Sequence, residues 1–225
     1  TDGSCSNVSS VIVSVTGLPV ITSATASSNS VCSGSNVTLT GLTGTTTTVN
    51  AQIGTQVTTN ITPSPYRGGS SSDCRNQFLY TAAELSAAGL TAGNIYSITF
   101  INTSTPSTAV PNLTMSIGST SATTMTSSFL TDPTTTFFGP TNYIPVAGNN
   151  THTLPTPFYW NGTSSILINT CSPGGTGTSY NVAIGGTANR SVQTATSGAC
   201  TAASGTVYNS VVAIFNGTAS SSGPG

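Results

Sequence analysis

The chain contains 225 residues, of which only 3% are charged, and three arginines, no lysine and four acidic residues give a formal net charge of −1. So little charge produces no long-range field, and three cations are too few to neutralise the phosphates of a nucleic acid, which excludes nucleic acid as a partner. No apolar run approaches the ~18 residues of a membrane-spanning helix, so we also expect no membrane insertion.

The first 50 residues differ from the rest and read as strand segments joined by a linker. Residues 9–16 alternate apolar and polar side chains as a half-buried strand does, and residues 18–24 change from linker to strand. Residues 31–42 are strand-like again. We therefore predict two regions, with strand segments and linker in residues 1–50 and a larger β module in residues 51–225.

A single short helix is predicted within the stretch Asp73–Ser97, which strand-like sequence surrounds. Thr81 and Glu84 have the T-x-x-E spacing of a capping box, in which hydroxyl and carboxylate each accept a hydrogen bond from a backbone amide of the first turn. Alanine and leucine follow as good helix formers, and Gly89 can end the helix in a left-handed conformation. We expect the helix at about residues 81–88.

Strand-like runs occupy most of the remaining sequence. Turn signals such as Asn161-Gly162 and Asn216-Gly217 separate them at about the spacing typical of β-sandwiches. The predicted fold class is therefore all-β, an antiparallel β-sandwich with one short helix. The predicted strands are 36–42, 52–60, 95–101, 111–118, 135–138, 142–146, 151–154, 164–170, 178–184, 190–195 and 206–215. Period-two alternation predicts a core of Ile95, Ile98, Phe100, Leu113, Met115, Ile117, Ile166, Ile168, Val182, Ile184, Val212 and Ile214.

Several short motifs occur along the chain in a fixed order. They are the aromatic, Gly-rich residues 66–69, the R-x-Q segment 75–79, the A-x-E-L-x-A-A-G helix, N-I-x-S-I-x-F at 94–100, N-L-T-M-S-I-G at 112–118, Y-I-P at 143–145, the segment 150–166 with P-F-Y-W-N-G-T, and I-F-N-G at 214–217. This order resembles a jelly-roll-like β-sandwich module of the large, repetitive surface adhesins that bacteria export through the type IX secretion system.

The resemblance carries expectations about organisation, location and partners. In such adhesins a D-G-x-C-S-N run closes an immunoglobulin-like repeat and V-C-x-G opens another, so residues 1–50 would hold Ig-like strand segments from adjacent repeats. The implied location is extracellular, at the bacterial cell surface. The implied partners are copies of the chain itself or adjacent repeats of the same polypeptide. A start at Thr1 rather than Met is what we expect of a processed protein or an excised segment.

The five cysteines form neither a C-x-x-C motif nor a Cys/His spacing typical of zinc sites. In a secreted β protein, cysteines are more often paired in disulfides. Cys171 and Cys200 bracket strands near the end of the module and are the first-choice pair, with Cys74 as an alternative partner for either. Cys5 and Cys32 pair either with each other or with neighbouring repeats.

Ionisable side chains are too scarce to suggest an enzyme. One histidine and four acidic residues make a hydrolytic dyad or triad hard to assemble. Glu84 is better explained as the capping-box acid, and His152 as a solvent-facing or hydrogen-bonded residue of the N-T-H-T-L strand. Asp73 beside Arg75 suggests a loop ion pair, since a calcium site would need more oxygen ligands. We therefore predict a noncatalytic protein with no metal or cofactor.

Jelly-roll sandwiches often bind carbohydrate by stacking an aromatic ring on a sugar while amide or guanidinium groups bind its hydroxyls. Tyr66, Arg67, Tyr159, Trp160 and Asn161 are the candidates for such a glycan platform. The competing interpretation places Trp160, the only tryptophan, in the core at a strand end, because large aromatic side chains dominate core burial.

These observations favour a noncatalytic structural and adhesive module of an extracellular stalk or filament, joined to its neighbours through the N-terminal strands. Antiparallel sheets with disulfides resist proteolysis and pulling, and a nearly uncharged, hydroxyl-rich surface packs closely without repulsion. Exposed strand sequence can add to the sheet edge of a neighbour. The alternative function is a carbohydrate-binding module that anchors the cell to a glycan.

Overall fold

The computed structural model describes residues 20–27, 36–44, 46–68, 73–174 and 179–220. The chain divides into two compact units, of which the second is Thr48–Ala219 and the first takes the residues on either side of it. In the first unit, β1 (Val20–Ala26) pairs antiparallel with β2 (Leu39–Gly44). The strand predicted at 9–16 and the cysteines Cys5 and Cys32 lie outside the described residues.

The second unit contains two six-stranded sheets, and every strand pair whose register is described is antiparallel. The β5 sheet has the order β13-β12-β5-β10-β7-β8, and the β6 sheet contains β3, β14, β6, β11 and β4 with β9 paired to β6. The predicted fold class, an antiparallel β-sandwich with one short helix, is confirmed. The elements are β3 (Thr46–Ile53), β4 (Thr58–Asn60), β5 (Cys74–Tyr80), α1 (Ala82–Ala87), β6 (Gly93–Asn102), β7 (Val110–Thr120), β8 (Thr135–Tyr143), β9 (Gly148–Trp160), β10 (Ser165–Ser172), β11 (Val182–Ile184), β12 (Ser191–Thr194), β13 (Thr206–Tyr208) and β14 (Ala213–Ser220).

One large hydrophobic core contains inward side chains of both sheets. Ile98 and Phe100 of the β6 sheet and Ile117 and Ile168 of the β5 sheet are fully buried in it. Alternation along each strand directs every second side chain inward. The register shifts between Ile95 and Ser97, so the inward positions of β6 run 95, 98, 100 rather than in strict steps of two.

The predicted core is confirmed except on β14, where the alternation was assigned in the wrong phase. Ala213 and Phe215 are the β14 side chains in the main core, whereas Ile214 is only half-buried. Val212 is buried but lies outside that cluster. Valine, alanine, isoleucine and phenylalanine follow one another in this segment. Because no polar residue interrupts the run, the sequence does not indicate which side chains face the core.

A second, smaller core lies on the outer face of the β5 sheet. The loop of residues 121–134, which we call the cover segment, packs Met125 against Leu79, Leu167 and Val192. Since both faces of β5 are covered, all seven of its residues are buried. β5 therefore lacks the alternation of a half-buried strand, and the sequence did not predict it.

The helix is correctly predicted but much of its surrounding stretch is strand. α1 occupies Ala82–Ala87 with Thr81 as N-cap, while β5 and β6 take up the ends of the stretch Asp73–Ser97. Gly89 has a φ of 97°, and the amides of Gly89 and Leu90 donate to the carbonyls of Ser86 and Leu85. These two bonds are those of a Schellman motif, which ends the helix.

Other strand boundaries differ where a turn was missed or wrongly assigned. The predicted strand 52–60 is two strands because Gly54, with a φ of 83°, breaks it. The predicted strand 135–138 is part of β8, which runs through Gly139 and Pro140 to Tyr143. Of the predicted strand 142–146, only residues 142 and 143 belong to β8, and 144–146 lie in the turn before β9. The predicted strand 206–215 is divided between β13 and β14. None of the helices in the described part of the chain is long and apolar enough to cross a membrane.

Candidate functional site

Cys171 and Cys200 form a disulfide with 5.5 Å between their Cα atoms, as the sequence favoured. Cys171 lies on β10 and Cys200 in a short 3-10 helix, Ala199–Thr201. The Asp73 carboxylate ties the same corner together, because it accepts hydrogen bonds from the amides of Gly174 (2.8 Å) and Gly198 (3.0 Å). One covalent and two charge-assisted links therefore hold three loops at this end of the β5 sheet.

Cys74 is a buried free thiol, so its alternative assignment as a disulfide partner is wrong. It lies opposite Ser172 while Cys171 lies opposite Arg75, and alternation therefore directs the two cysteine side chains to opposite faces of the sheet. Burial raises the pKa of the Cys74 thiol to about 11, although Arg67 and a hydrogen bond from Asn76 act in the opposite direction. A thiol with so high a pKa is unreactive near neutral pH.

The predicted ion pair between Asp73 and Arg75 is wrong. The Asp73 carboxylate is occupied by two glycine amides, and Arg75 is instead paired with Asp132 of the cover segment. Arg75 also donates to the Ala202 carbonyl at 2.5 Å, and its guanidinium carbon lies 4.1 Å from the centroid of the Phe129 ring. Arg75 therefore attaches the cover segment to the sheet.

Gln77 makes the second attachment of the cover segment. Its side-chain oxygen accepts from the Leu130 amide at 2.8 Å, and its side-chain nitrogen donates to the Leu130 carbonyl at 2.9 Å. This pair of bonds imitates the pairing of two strands. The same nitrogen lies 3.0 Å from Asp132 Oδ1, so Gln77 and Arg75 share one carboxylate.

The capping box is present as predicted, and Glu84 has a further partner. Glu84 accepts from the Thr81 amide at 2.9 Å, and Thr81 Oγ1 accepts from the Glu84 amide at 3.3 Å. Arg190 Nε lies 3.1 and 3.2 Å from the two Glu84 oxygens and its guanidinium donates to the Thr123 carbonyl at 2.8 Å. No local motif indicates this link, since Glu84 and Arg190 are 106 positions apart.

His152 is hydrogen-bonded in the interior rather than exposed to solvent. Its Nε2 lies 2.8 Å from the Tyr66 hydroxyl, and the rings of Phe138 and Tyr143 lie 4.5 and 5.2 Å from it between centroids. Burial without a charged partner lowers the pKa of His152 to about 4. The imidazole is therefore neutral at physiological pH and belongs to an aromatic cluster of the core.

The five residues of the predicted glycan platform do not form a common exposed surface. Tyr66 and Trp160 are fully buried, whereas Tyr159 is 66% exposed. Trp160 Nε1 donates to the Ser164 carbonyl at 2.7 Å, and Asn161 accepts from the Thr163 and Ser164 amides. The predicted glycan platform is therefore wrong. Trp160 packs in the core beside a turn that Asn161 stabilises.

Arg67, the fifth platform residue, is half-buried and donates to Thr62 Oγ1. A depression of about 320 Å³ is lined by residues of β3, β5 and α1, among them Ile53, Tyr80 and Glu84. Within the described ranges, no group of three or more His, Cys, Asp and Glu side chains is placed to hold a metal ion.

These contacts give the polar residues structural roles, as links between loops, sheets and the helix. Comparison of the chain with protein-family models, with curated proteins and with solved structures gave no match. The resemblance to surface-adhesin modules therefore rests on the sequence motifs alone.

Proposed function

We propose that this chain is a noncatalytic structural and adhesive module of an extracellular filament or stalk on a bacterial cell surface. The observation that carries the proposal is that five of the six charged side chains among the described residues link separate parts of the scaffold. The sixth, Arg67, bonds locally to Thr62 and leaves its buried Nε without a partner. Residues kept for acid–base chemistry or for binding an ionic ligand would instead present groups with unsatisfied bonding capacity in a cleft. The five linking residues are Asp73, Arg75, Glu84, Asp132 and Arg190.

The position of these links suits a protein that bears load. The Cys171–Cys200 disulfide and the Asp73 carboxylate join loops at one end of the β5 sheet, and Arg75 and Gln77 attach the cover segment across its outer face. Disulfides persist in oxidising compartments, which supports an extracellular location. A surface with almost no charge allows neighbouring copies to approach closely without repulsion.

The N-terminal strand sequence supplies the proposed joint between neighbours. In residues 9–16, period-two alternation places Val11, Val13 and Val15 on one face, and Ser10, Ser14 and Thr16 on the other together with Ile12. Added to the sheet edge of another module, such a strand gains backbone hydrogen bonds while its valines enter pockets of the acceptor.

The oligomeric state of the native protein tests the proposal. We expect electron microscopy to show filaments, and intact mass under denaturing, reducing conditions to give single chains of 22.4 kDa or a heavier polypeptide that contains the module as a repeat. A monomer in both conditions would overturn the proposal and leave glycan screening as the next experiment.

A single substitution examines the N-terminal joint in the full chain. Val13→Asp places a charge on the apolar face of the strand, and we expect it to raise the concentration needed for assembly about tenfold or more, since an unpaired charge is costly to bury. Ser14→Asp adds the same charge on the polar face and is the matched control. Equal assembly of both variants would contradict joining through this strand.

A further inference from the structure

β9 and β4 lie at opposite edges of the β6 sheet. Phe100 of β6 pairs with Ala213 of β14 and with Asn150 of β9, so β14 and β9 flank β6 on opposite sides. Asn102 likewise pairs with Val182 of β11 and with Gly148 of β9. β11 is therefore on the β14 side, and β4, which pairs with β11, is the edge beyond it.

No described strand pairs with the outer side of either edge. β9 pairs only with β6, and β4 only with β11, among the described strands. An exposed edge presents backbone amides and carbonyls that can template a strand of another chain. The segment 148–154 has the side-chain alternation of a regular strand, whereas Pro155 and Pro157 lack the amide hydrogen and interrupt pairing beyond it.

Exposed apolar side chains concentrate at these two edges. Of the six large apolar residues that are exposed in the described part of the chain, five flank β4 or belong to β9 and the turn before it. Val57 (65% exposed) and Ile61 (39%) flank β4, and Ile144 (52%), Val146 (58%) and Tyr159 (66%) accompany β9. Single exposed apolar residues are ordinary, but their confinement to two sheet edges indicates a surface that another molecule covers.

Both edges also lack the charges that usually prevent strand addition. Natural edge strands carry lysine or inward-pointing charges to block pairing with other chains. Neither segment 57–61 nor segment 148–160 contains an acidic residue, a lysine or an arginine, and His152 is buried and neutral. Exposed positions carry Thr151 and Thr153 on β9 and Thr58 and Thr59 on β4, and threonines that face each other across two strands form favourable pairs.

We infer that the β9 edge of one copy pairs with the β4 edge of a second copy, which continues the β6 sheet from chain to chain. The inference rests on the proposed assembly function and names a contact surface separate from the N-terminal strands. The two edges differ and lie on opposite sides of one sheet, so their pairing is head-to-tail and leaves a free edge at each end. Such a heterologous contact propagates into an open filament unless its rotation closes a ring.

Lysine substitutions at the exposed valines test this pairing in the full chain. Val57→Lys alters the β4 edge and Val146→Lys the β9 edge, and both sites are exposed, so the fold is expected to tolerate them. Each variant should raise the concentration for half-assembly, read by sedimentation and electron microscopy, about tenfold or more because a lysine charge is costly to bury in the joint. Thr124→Lys, an exposed site of the cover segment, should assemble like the parent chain.

The outcomes separate this inference from the proposed N-terminal joint. Equal losses from Val57→Lys and Val146→Lys support head-to-tail pairing whatever Val13→Asp does. Loss from Val146→Lys alone would mean that β9 edges pair with each other, and normal assembly of both lysine variants would mean that the edges are not used. Either result overturns the inference, while loss of assembly in Val13→Asp would still uphold the N-terminal joint.

Discussion

His152 is buried among neutral groups, and this makes it a source of acid sensitivity. Tyr66 donates to or accepts from its Nε2, while the rings of Phe100, Phe138 and Tyr143 surround it. Among the described contacts of the ring, no charged side chain is present to compensate the positive charge of an imidazolium. Burial also raises the pKa values of Tyr66 and Tyr143, so both hydroxyls remain neutral near pH 7.

The lowered pKa of His152 predicts a loss of stability on acidification. The imidazole has a pKa of about 4 when folded and 6.5 when unfolded, so between these values the unfolded chain binds the extra proton. Stability is therefore fully present above pH 6.5, falls as the pH is lowered towards 4, and has decreased by about 3 kcal/mol below it. Urea unfolding at pH 7, 6, 5 and 4.5 measures this slope.

The matched variants for this experiment are His152→Gln and Thr153→Ala. His152→Gln removes the group that titrates, so its stability should be nearly constant from pH 7 to 5 although its absolute value is lower. Thr153→Ala changes an exposed neighbour and should keep the parent slope. A parent chain without a slope in this range would contradict a neutral, buried His152.

Residue positions in strands were easier to predict than the partners of those residues. The T-x-x-E spacing identified the capping box because both groups lie within one helical turn. The contact of His152 with Tyr66 spans 86 positions, and that of Arg75 with Asp132 spans 57. Tyr66 and Asp132 lie in loops, so only the tertiary fold brings these side chains to their partners. The large size of Trp160 correctly indicates a core residue. Because Trp160 is buried, it cannot belong to the predicted glycan platform.

At the scale of the elements, α1 depends on a few cap interactions because it is only six residues long. An isolated helix of this length is not stable in water, so its caps and its packing must hold it. Leu85 is its fully buried side chain, and Glu84 connects its first turn to Arg190 next to β12. The helix is therefore a short connection between β5 and β6 that is fixed at both ends.

Removal of the N-cap hydroxyl should weaken this connection measurably. We expect Thr81→Ala to lower the free energy of unfolding by about 1 kcal/mol, because the Glu84 amide loses its acceptor. Glu84→Gln should also destabilise, since it removes the charge that faces Arg190. Denaturant titration measures both, with the exposed Ser86→Ala as control, and stability of Thr81→Ala within 0.3 kcal/mol of the parent (about the error of such titrations) would show that the cap is dispensable.

Alternation predicted the strands whose inward positions are apolar and failed at β5, where consecutive polar side chains are buried. β7 and β10 were found because Leu113, Met115 and Ile117, or Ile166 and Ile168, alternate with other side chains. β5 carries Arg75, Asn76 and Gln77 in its interior, which no local pattern assigns to a buried strand. The cover segment satisfies Arg75 and Gln77, and a loop that folds over a sheet from 53 to 57 positions away has no signature in β5 itself.

At the scale of the whole molecule, the Cys171–Cys200 disulfide closes a loop that includes β11 and β12. These two strands belong to different sheets, since β11 pairs with β6 and β12 with β5. The covalent link therefore restricts how far apart the two ends of this segment can move in the unfolded ensemble. The Asp73 carboxylate acts at the same corner but contributes only hydrogen bonds that are lost on unfolding.

The double variant Cys171→Ala/Cys200→Ala should unfold more easily because its unfolded state is less restricted. A sequence separation of 29 corresponds to about 3–4 kcal/mol of loop-closure entropy at 25 °C, and hence to a fall in melting temperature of about 10 °C. Calorimetry of the oxidised parent and the double variant, both without reductant, isolates this link from any pairing of Cys5 and Cys32. Cys74→Ala is the control for cysteine loss, since it removes a free thiol and leaves the disulfide in place. A double variant as stable as the oxidised parent would mean that the corner held by Asp73 gains nothing from the covalent bond.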